Sequence, residues 1–527
     1  MFRIPPPRNG LYLGSVPEQA AADHPATPIT LDHDLEALPD AGRHFTLAEL
    51  ADFVDDLAAR LWAAGIRPSE HVALYKAHNF DIYLLACAAS RIGAVPALLS
   101  PALDGSTVEA LLRRLEQPHL ITDDDKLGGD LAGLPLDEIT GRIVTVGQGG
   151  EMGKGGTGLA DLAGSPRRTP VRMHADHPAL MTHTSGTTGV PKLVVHTARS
   201  LQGRLRPQTR LASLIRRKET YAVHVSYVHS RMYMALAVAL PKGMPVVVMN
   251  DGSAEHAADL FARTRPGFLE THPNSYMEWE ELVDDPRRPL SNVKYYSGTF
   301  DAIHPPTMRK LLTASGRGNP LFFQFYGQSE CGPLVGRWYT KKNVHKADGR
   351  CLGFTIPGMT SVRVVSRDGR RPTKDSPGSI EVQSDGRAVT YYAEEERYAK
   401  ECNGRWWRTG DVGYRTSAGC VHLLDREVDV IPGIDSTLEV EDTVLGRLEE
   451  LSELVLVPGP DKQPLPVVCT KQNEPLDPER WRRAVADFPQ LADPVQMPLS
   501  ELPRTATMKV QRLELARRLR ERLEHAA

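Results

Sequence analysis

Cysteine is scarce, with six in 527 residues (Cys87, Cys331, Cys351, Cys402, Cys420 and Cys469) and no Cys-x-x-Cys pair. That scarcity excludes a disulfide-framed scaffold and the paired-thiol zinc motifs. It predicts free, mostly buried thiols in a reducing compartment. Long apolar runs are missing too, so no segment reaches the length of a membrane span. The opening Met-Phe-Arg-Ile-Pro-Pro-Pro has no apolar core of signal-peptide length. Neither charge sign dominates: 63 Lys and Arg against 66 Asp and Glu leave a net charge of −3, without the footprint of a nucleic-acid binder. A cytoplasmic protein with neither a nucleic-acid nor a membrane partner is expected.

What is present suits an ordinary globular chain, 41% hydrophobic and 24% charged, long enough for two or more domains. Residues 45–67 predict a helix. Thr46 and Glu49 form a capping box, Leu50, Phe53, Val54, Leu57 and Leu61 share one face, and Gly65 supplies a left-handed end. Strands are expected at 71–75 and 95–99 around a buried helix at 82–92. Ser106 and Glu109 predict a second capping box before Leu111, Leu112 and Leu115. This alternation predicts an α/β fold with a largely parallel sheet. Residues 147–170, rich in Gly, predict a flexible connector. Their Gly-Lys-Gly-Gly-Thr-Gly at 153–158 lacks both Walker spacing and a following helix. Alternation resumes from 221 to 330. Short strands near 361–366 and 379–383 predict a small β-subdomain, and a compact α/β unit from 427 ends in a basic amphipathic helix at 510–525 with a solvated Arg face.

The most informative stretch is 184–192, Thr-Ser-Gly-Thr-Thr-Gly-Val-Pro-Lys. Gly186 and Gly189 leave backbone N–H groups free to curl around an oxyanion. Thr184, Ser185, Thr187 and Thr188 add hydroxyl donors, and Lys192 adds charge, which together make a polyphosphate cradle. Apolar runs flank it on both sides, so it is expected between two strands. At 322–333 an apolar strand ends in Tyr326, Gly327 permits a tight turn, and Ser329 and Glu330 present oxygens. A carboxylate beside a triphosphate is what Mg²⁺ requires, and a tyrosine face can stack on a purine. Arg408-Thr409-Gly410-Asp411 offers a carboxylate that can accept both hydroxyls of a ribose.

These strings, with Leu423-Leu424-Asp425-Arg426 and Leu502-Pro503-Arg504-Thr505-Ala506-Thr507-Met508-Lys509, resemble the motifs of the acyl-adenylate-forming superfamily. That superfamily includes acyl-CoA synthetases, peptide-synthetase adenylation domains and luciferase. The resemblance covers essentially the whole chain. Ser329 stands where threonine is usual, and Met508 where glycine is usual. The resemblance implies a large N-terminal domain, 1–426, of two αβ layers plus a small β-barrel, and a smaller mobile α+β C-terminal domain, 427–527. It implies ATP and Mg²⁺ as cofactors and attack of a substrate oxyanion on the α-phosphorus of ATP. Glu330 would hold the metal, and residues 184–192 the departing phosphates. Tyr326 would face the adenine, Gly327 and Ser329 would complete the nucleotide-binding set, and Asp411 and Arg426 would hold the ribose. Lys509 would bridge the reacting oxygen and the α-phosphate, with Lys192 and His229 as further catalytic groups. The substrate pocket would draw on Tyr227, His229, Arg231, His272, Tyr296, Ser297, Gly298 and Gln324. That set is polar and suits a small or aromatic polar acid, with Arg231 expected to meet an anionic or strongly polar group distal to the reacting oxygen and His229 expected as a proton acceptor.

Past Arg426 the chain departs from the acyl-CoA synthetase pattern. Val428 stands at the hinge position, Pro432 at a lysine position and Asp435 at a glycine position, although a one-residue shift makes Gly433 the turn glycine. These residues count against a pantetheine channel. The first expectation remains a ligase that passes a carboxylate's acyl group to CoA or to a carrier-protein phosphopantetheine thiol. The alternative is an adenylate, of a carboxylate or of nitrite, used by an amine to give an amide or an N–N product without CoA. A non-catalytic nucleotide-binding relative is disfavoured by the presence of Glu330 and Lys509.

Overall fold

The computed structural model describes residues 10–147, 156–184, 190–298, 303–367, 369–427, 429, 431–434, 436–459, 463–504 and 510–526, the last four without their side chains. Ser185 to Gly189, Val428, Asp435 and Lys509 therefore lie outside the described residues.

The predicted helix spans Leu47–Ala63, and its Thr46–Glu49 capping box forms in full. Gly65 ends it with φ +97°. Strands His71–Leu74 and Val95–Leu98 pair in parallel around helix Asp81–Arg91, whose faces are nearly all buried. The second helix, Gly105–Arg114, is capped differently from expectation. Asp104 accepts from the Thr107 N–H at 2.9 Å, while the Ser106 hydroxyl donates to Asp104 at 2.5 Å. The helix starts two residues earlier than a Ser106 cap would set it, so Asp104 is the N-cap and Ser106 already lies in the first turn. The glycine-rich connector also differs, because Gly156–Gly158 pairs in parallel with Ile143–Val146 as an edge strand. Backbone groups alone make that ladder, so side-chain composition gives no sign of it.

Among the described residues two large sheets carry the chain as far as Arg426. An eight-stranded sheet holds the hairpin of Pro178–His183 and Leu193–Thr197 beside Val95–Leu98. A fourteen-stranded sheet has a parallel heart of Val246–Val248, Tyr221–His224, Phe268–Thr271, Tyr295–Gly298 and Leu321–Gln328. The expected small β-subdomain is continuous with that sheet. Gly332–Tyr339 turns back antiparallel and leads through Cys351–Thr355 to Val421–Arg426, Trp406–Arg415, Gly378–Ser384 and Thr360–Val365.

Beyond this, Leu451–Pro458, Pro464–Thr470 and Val495–Gln496 form a separate sheet. Helices Thr437–Arg447 and Arg512–Ala526 cover it, and its two buried clusters draw only on residues between Ile431 and Leu519. Leu515, Ala516 and Leu519 are the buried stripe of the last helix. Its Arg517 and Arg518 pair with Glu514 on the exposed face.

The cysteine expectation needs one correction. Cys87, Cys331 and Cys469 are free and buried, and Cys402 is free and half-buried, but Cys351 and Cys420 are joined in a disulfide. They are 69 residues apart and meet only because strands Cys351–Thr355 and Val421–Arg426 are neighbours, which no local spacing encodes. No described helix is long and apolar enough to cross a membrane.

Candidate active site

The hairpin that carries the Gly/Ser/Thr loop closes at its base. The Thr184 N–H donates to the Lys192 carbonyl at 3.0 Å, and the Lys192 N–H to the Thr184 hydroxyl at 3.3 Å. The strands on either side are antiparallel, as the flanking apolar runs predict. Lys192 Nζ then reaches across to the Tyr391 hydroxyl at 3.1 Å, and that hydroxyl donates to Glu330 Oε1 at 2.6 Å. Burial, reinforced by the Glu330 carboxylate, raises the Tyr391 pKa far above the ordinary phenol, so the hydroxyl stays a donor. Tyr391 belongs to the two-residue strand Thr390–Tyr391 that pairs with Val194 and Val195. Nothing in its local sequence marks it.

A second unforeseen group is Arg204, 2% exposed, in helix Ala198–Ala212. Its guanidinium donates to the Ser329 carbonyl at 2.6 Å and the Gly386 carbonyl at 2.8 Å. Burial pulls its pKa down to about 10. The helix approaches residues 385–386 so closely that a Cβ on Gly203 would stand 2.3 Å from the Asp385 carbonyl oxygen. The polar sequence of this helix reads as a surface element, and only Gly203 hints at the close contact.

Strand Leu321–Gln328 carries Tyr326 to the same cavity. The Tyr326 hydroxyl donates to Asp411, Gln328 Nε2 donates to the same Asp411 oxygen at 3.2 Å, and Arg426 Nε lies 3.5 Å from the other. Asp411 and Arg426 are direct partners in the ladder between Trp406–Arg415 and Val421–Arg426. The register shifts at Tyr326/Gly327. A Cβ on Gly327 would come within 2.2 Å of the Gly332 carbonyl oxygen, so this bulge requires glycine.

Thr184, Lys192, Tyr326, Gly327, Ser329, Glu330, Gly410 and Arg426 surround one cavity of about 680 Å³. Its far end is more aromatic than the sequence suggests. The walls are Phe268, Tyr295, Phe323, Phe325 and Trp338, with Ser297, His229 and Arg231. Five predicted pocket residues lie off its wall. Tyr227 is buried against His78, with ring centroids 4.4 Å apart. Tyr296 donates to the Leu311 carbonyl at 2.9 Å and stacks on Phe322. Gln324 and His272 are buried away from the cavity wall, and Gly298 ends its strand without joining it. The cause is the two-residue period of strands. Residues 295 and 297, and 321, 323 and 325, face the cavity, while the even-numbered neighbours pack into the other layer.

Two predicted groups have assignments of their own. Arg231 is paired inside the protein with Glu270, by Nε and by Nη2 at 2.7 Å, and its Nη1 donates to Gln208. Tyr221 completes the Glu270 shell at 2.9 Å. Burial works against the Arg231 charge, but the Glu270 carboxylate outweighs it and raises the pKa. The expected distal anion of a substrate is thus replaced by the protein's own carboxylate. His229 Nδ1 accepts the Arg231 N–H at 3.0 Å as the cap of helix Ser230–Ala239. A neutral His229 ring therefore carries its proton on Nε2 and acts as a donor, not as the proton acceptor expected from sequence.

The Glu330 carboxylate, 8% exposed, lies on the cavity wall and shares the Tyr391 hydroxyl with Lys192. One such carboxylate, with phosphate oxygens, is a donor set that fits Mg²⁺.

The family described as AMP-binding enzyme matches residues 17–392. The 3-amino-2-hydroxy-4-methoxybenzoate diazotase of Streptomyces cremeus is 48% identical over 529 residues, covering 97% of this chain and 96% of that protein. Two solved structures share the fold at 19% identity. The anthranilate CoA ligase AuaEII in complex with anthranoyl-AMP superposes with a TM-score of 0.80, covering 98% of both chains. The amide bond synthetase McbA from Marinactinospora thermotolerans superposes with a TM-score of 0.77, covering 95% of this chain and 99% of that one.

Proposed function

The chain belongs to the AMP-binding enzyme family, and on that premise we propose that it adenylates nitrite and transfers the nitrosyl group to the amine of an aminoaryl acid. The observation that carries this reading is the 48% identity, over nearly the whole of both chains, to a diazotase. The first expectation from sequence, a thiol acceptor, shares the adenylation step but yields to the nitrogen acceptor on that relationship. The fold itself serves both outcomes, since a CoA ligase and an amide bond synthetase superpose on it. The residues past Arg426 say less than they did in sequence. Gly433 adopts φ +86°, the turn conformation that the shifted register expects.

Chemically, a nitrite oxygen attacks the α-phosphorus of ATP, the P–O bond to pyrophosphate breaks, and nitrosyl-AMP forms. The aryl amine then attacks the nitrosyl nitrogen. An N–N bond forms, the N–O bond to AMP breaks, and the amine proton leaves with the AMP phosphate. The nitrosamine tautomerises to the diazohydroxide, takes back one proton and loses water to give the diazonium product. Two anions must meet in the first step, so charge neutralisation dominates its barrier. Lys192 and the 184–189 loop hold the departing phosphates, and Glu330, oriented by Tyr391, holds Mg²⁺, which neutralises phosphate charge when bound. Asp411 and Arg426 hold the ribose, Tyr326 faces the adenine, and His229 presents its Nε2–H to the acceptor. The aryl ring lies among Tyr295, Phe323, Phe325 and Trp338. Residues 427–527 act as a mobile unit that delivers Lys509.

Product analysis by mass spectrometry tests this, with ATP, nitrite and an aminohydroxybenzoate, with and without CoA. A diazo product independent of CoA is expected. A CoA thioester formed at the rate of adenylation would overturn the nitrogen acceptor. Asp411→Ala separates the nucleotide end from the aryl end. Losing one charged hydrogen-bonding group is worth about 1.5–3 kcal/mol, so calorimetry should show ATP binding weakened by about 10–100-fold. Aminoaryl acid binding should not change.

A further inference from the structure

We propose that Cys351, Cys420 and His422 form a zinc site in the reduced protein, an alternative to the disulfide between the same two cysteines. The ligand atoms of the three residues all lie within 4.8 Å of one another. Two strands bring them together. Cys351 and His422 are direct partners in the ladder between Cys351–Thr355 and Val421–Arg426. Cys420 sits immediately before the second strand, two positions from His422, where its sulfur meets that of Cys351. Two thiolates and an imidazole are a zinc donor set, soft enough to disfavour Mg²⁺ or Ca²⁺.

The backbone spacing suits an ion as well as a bond. The two Cα atoms are 6.8 Å apart, at the upper end of what a disulfide spans. Thiolates held at about 2.3 Å on a tetrahedral zinc stand roughly 3.8 Å from each other. Small side-chain rotations on fixed strands convert one arrangement into the other.

The surroundings of His422 point independently to a ligand. Its Nε2 faces Asp348 Oδ2 at 3.5 Å, while its Nδ1 is buried without a hydrogen-bond partner among the described residues. A carboxylate behind an imidazole fixes the proton on the near nitrogen and leaves the other with its lone pair, as in metal-binding histidines. The Tyr414 ring, stacked at 4.9 Å, holds the orientation. On the sulfur side, Arg337 Nη1 lies 2.7 Å from Cys351 Sγ, a contact that favours a thiolate. Three protein donors leave the fourth position to water.

Two external thiols, which become a disulfide, or a phosphine with one water, which becomes the phosphine oxide, reduce the bond to two thiols. Zn²⁺ then displaces those protons. Oxidation by an external disulfide, which accepts the two electrons and becomes two thiols, restores the Cys351–Cys420 bond and expels the ion. Either state ties Cys351–Thr355 to Val421–Arg426, the strand that ends in Arg426 at the cavity.

The full-length protein, reduced with a phosphine and desalted, is titrated with Zn²⁺ and followed by native mass spectrometry beside the oxidised protein. One ion per chain is expected in the reduced form and none in the oxidised form. Equal uptake by both, or no uptake by either, would overturn the proposal. That comparison needs no substitution and so is independent of folding. Co²⁺ added to the reduced protein should produce thiolate-to-cobalt charge-transfer bands that C351S/C420S abolishes. Bands that persist in that variant belong to the other four cysteines and would also overturn the site. Asp348→Asn should weaken zinc binding by about 10–100-fold while keeping the bands.

Discussion

Lys509→Ala is expected to lower adenylate formation by about 10²–10³-fold, the loss typical of one preorganised electrostatic donor at a developing charge. The lysine is assigned from the 502–509 string, and the chemistry at that point is demanding. Nitrite and the α-phosphate are both anionic, and a compact ammonium can touch an oxygen of each. ATP binding should change little, because Tyr326, Arg426 and Lys192 already line the cavity, with Asp411 holding Tyr326 and Arg426 from behind. Single-turnover formation of AMP and calorimetric ATP binding, compared in wild type and variant, separate the two quantities. A variant that forms adenylate at the wild-type rate would remove Lys509 from the reaction.

The largest stability effect is expected at Arg231. Replacement by Met strands the Glu270 carboxylate, whose side chain is 0% exposed, with Tyr221 as its remaining side-chain donor. Breaking a buried pair from one side costs about 3–5 kcal/mol, whereas replacing both partners by apolar residues is often near neutral. Arg231→Met should therefore lower the melting temperature sharply, and Arg231→Met/Glu270→Leu should recover most of the loss. Thermal unfolding of the two variants checks this. A single variant that melts with the wild type would return Arg231 to the role first expected of it, the partner of an anionic substrate group. A double variant of wild-type stability with a raised KM for the aryl acid would show that the pair also serves binding.

The sequence makes local geometry legible and leaves facing and long-range pairing hidden. The Thr46–Glu49 capping box, the glycine at 65 and the hairpin around 184–192 are decided within a few residues, and each appears where its chemistry requires it. Tyr326, Asp411 and Arg426 could be named from their strings and do converge. Tyr295 and Phe323 could not be preferred over Tyr296 and Gln324. A strand buried on both faces shows no polar alternation to mark the cavity side. Tyr391, Arg204 and Glu270 escape notice for a related reason. Each acts on a group far away in the chain, and the Arg231–Glu270 pair alone spans 39 residues. Gly156–Gly158 shows the reverse error, in which a composition typical of linkers conceals a strand.

The strand Leu321–Gln328 suggests how this scaffold changes its taste in substrates. Phe323 and Phe325 face the cavity while Phe322 packs against Tyr276 and Tyr296 in the opposite layer. One ribbon thus keeps its two duties on alternate positions. A combinatorial library restricted to 295, 323, 325 and 338 would resculpt the aryl end while leaving the packing that supports the nucleotide end intact. Selection from such a library should yield folded enzymes at high frequency, with altered acceptors. The same library moved by one residue, to 296, 322 and 324, should yield mostly insoluble chains.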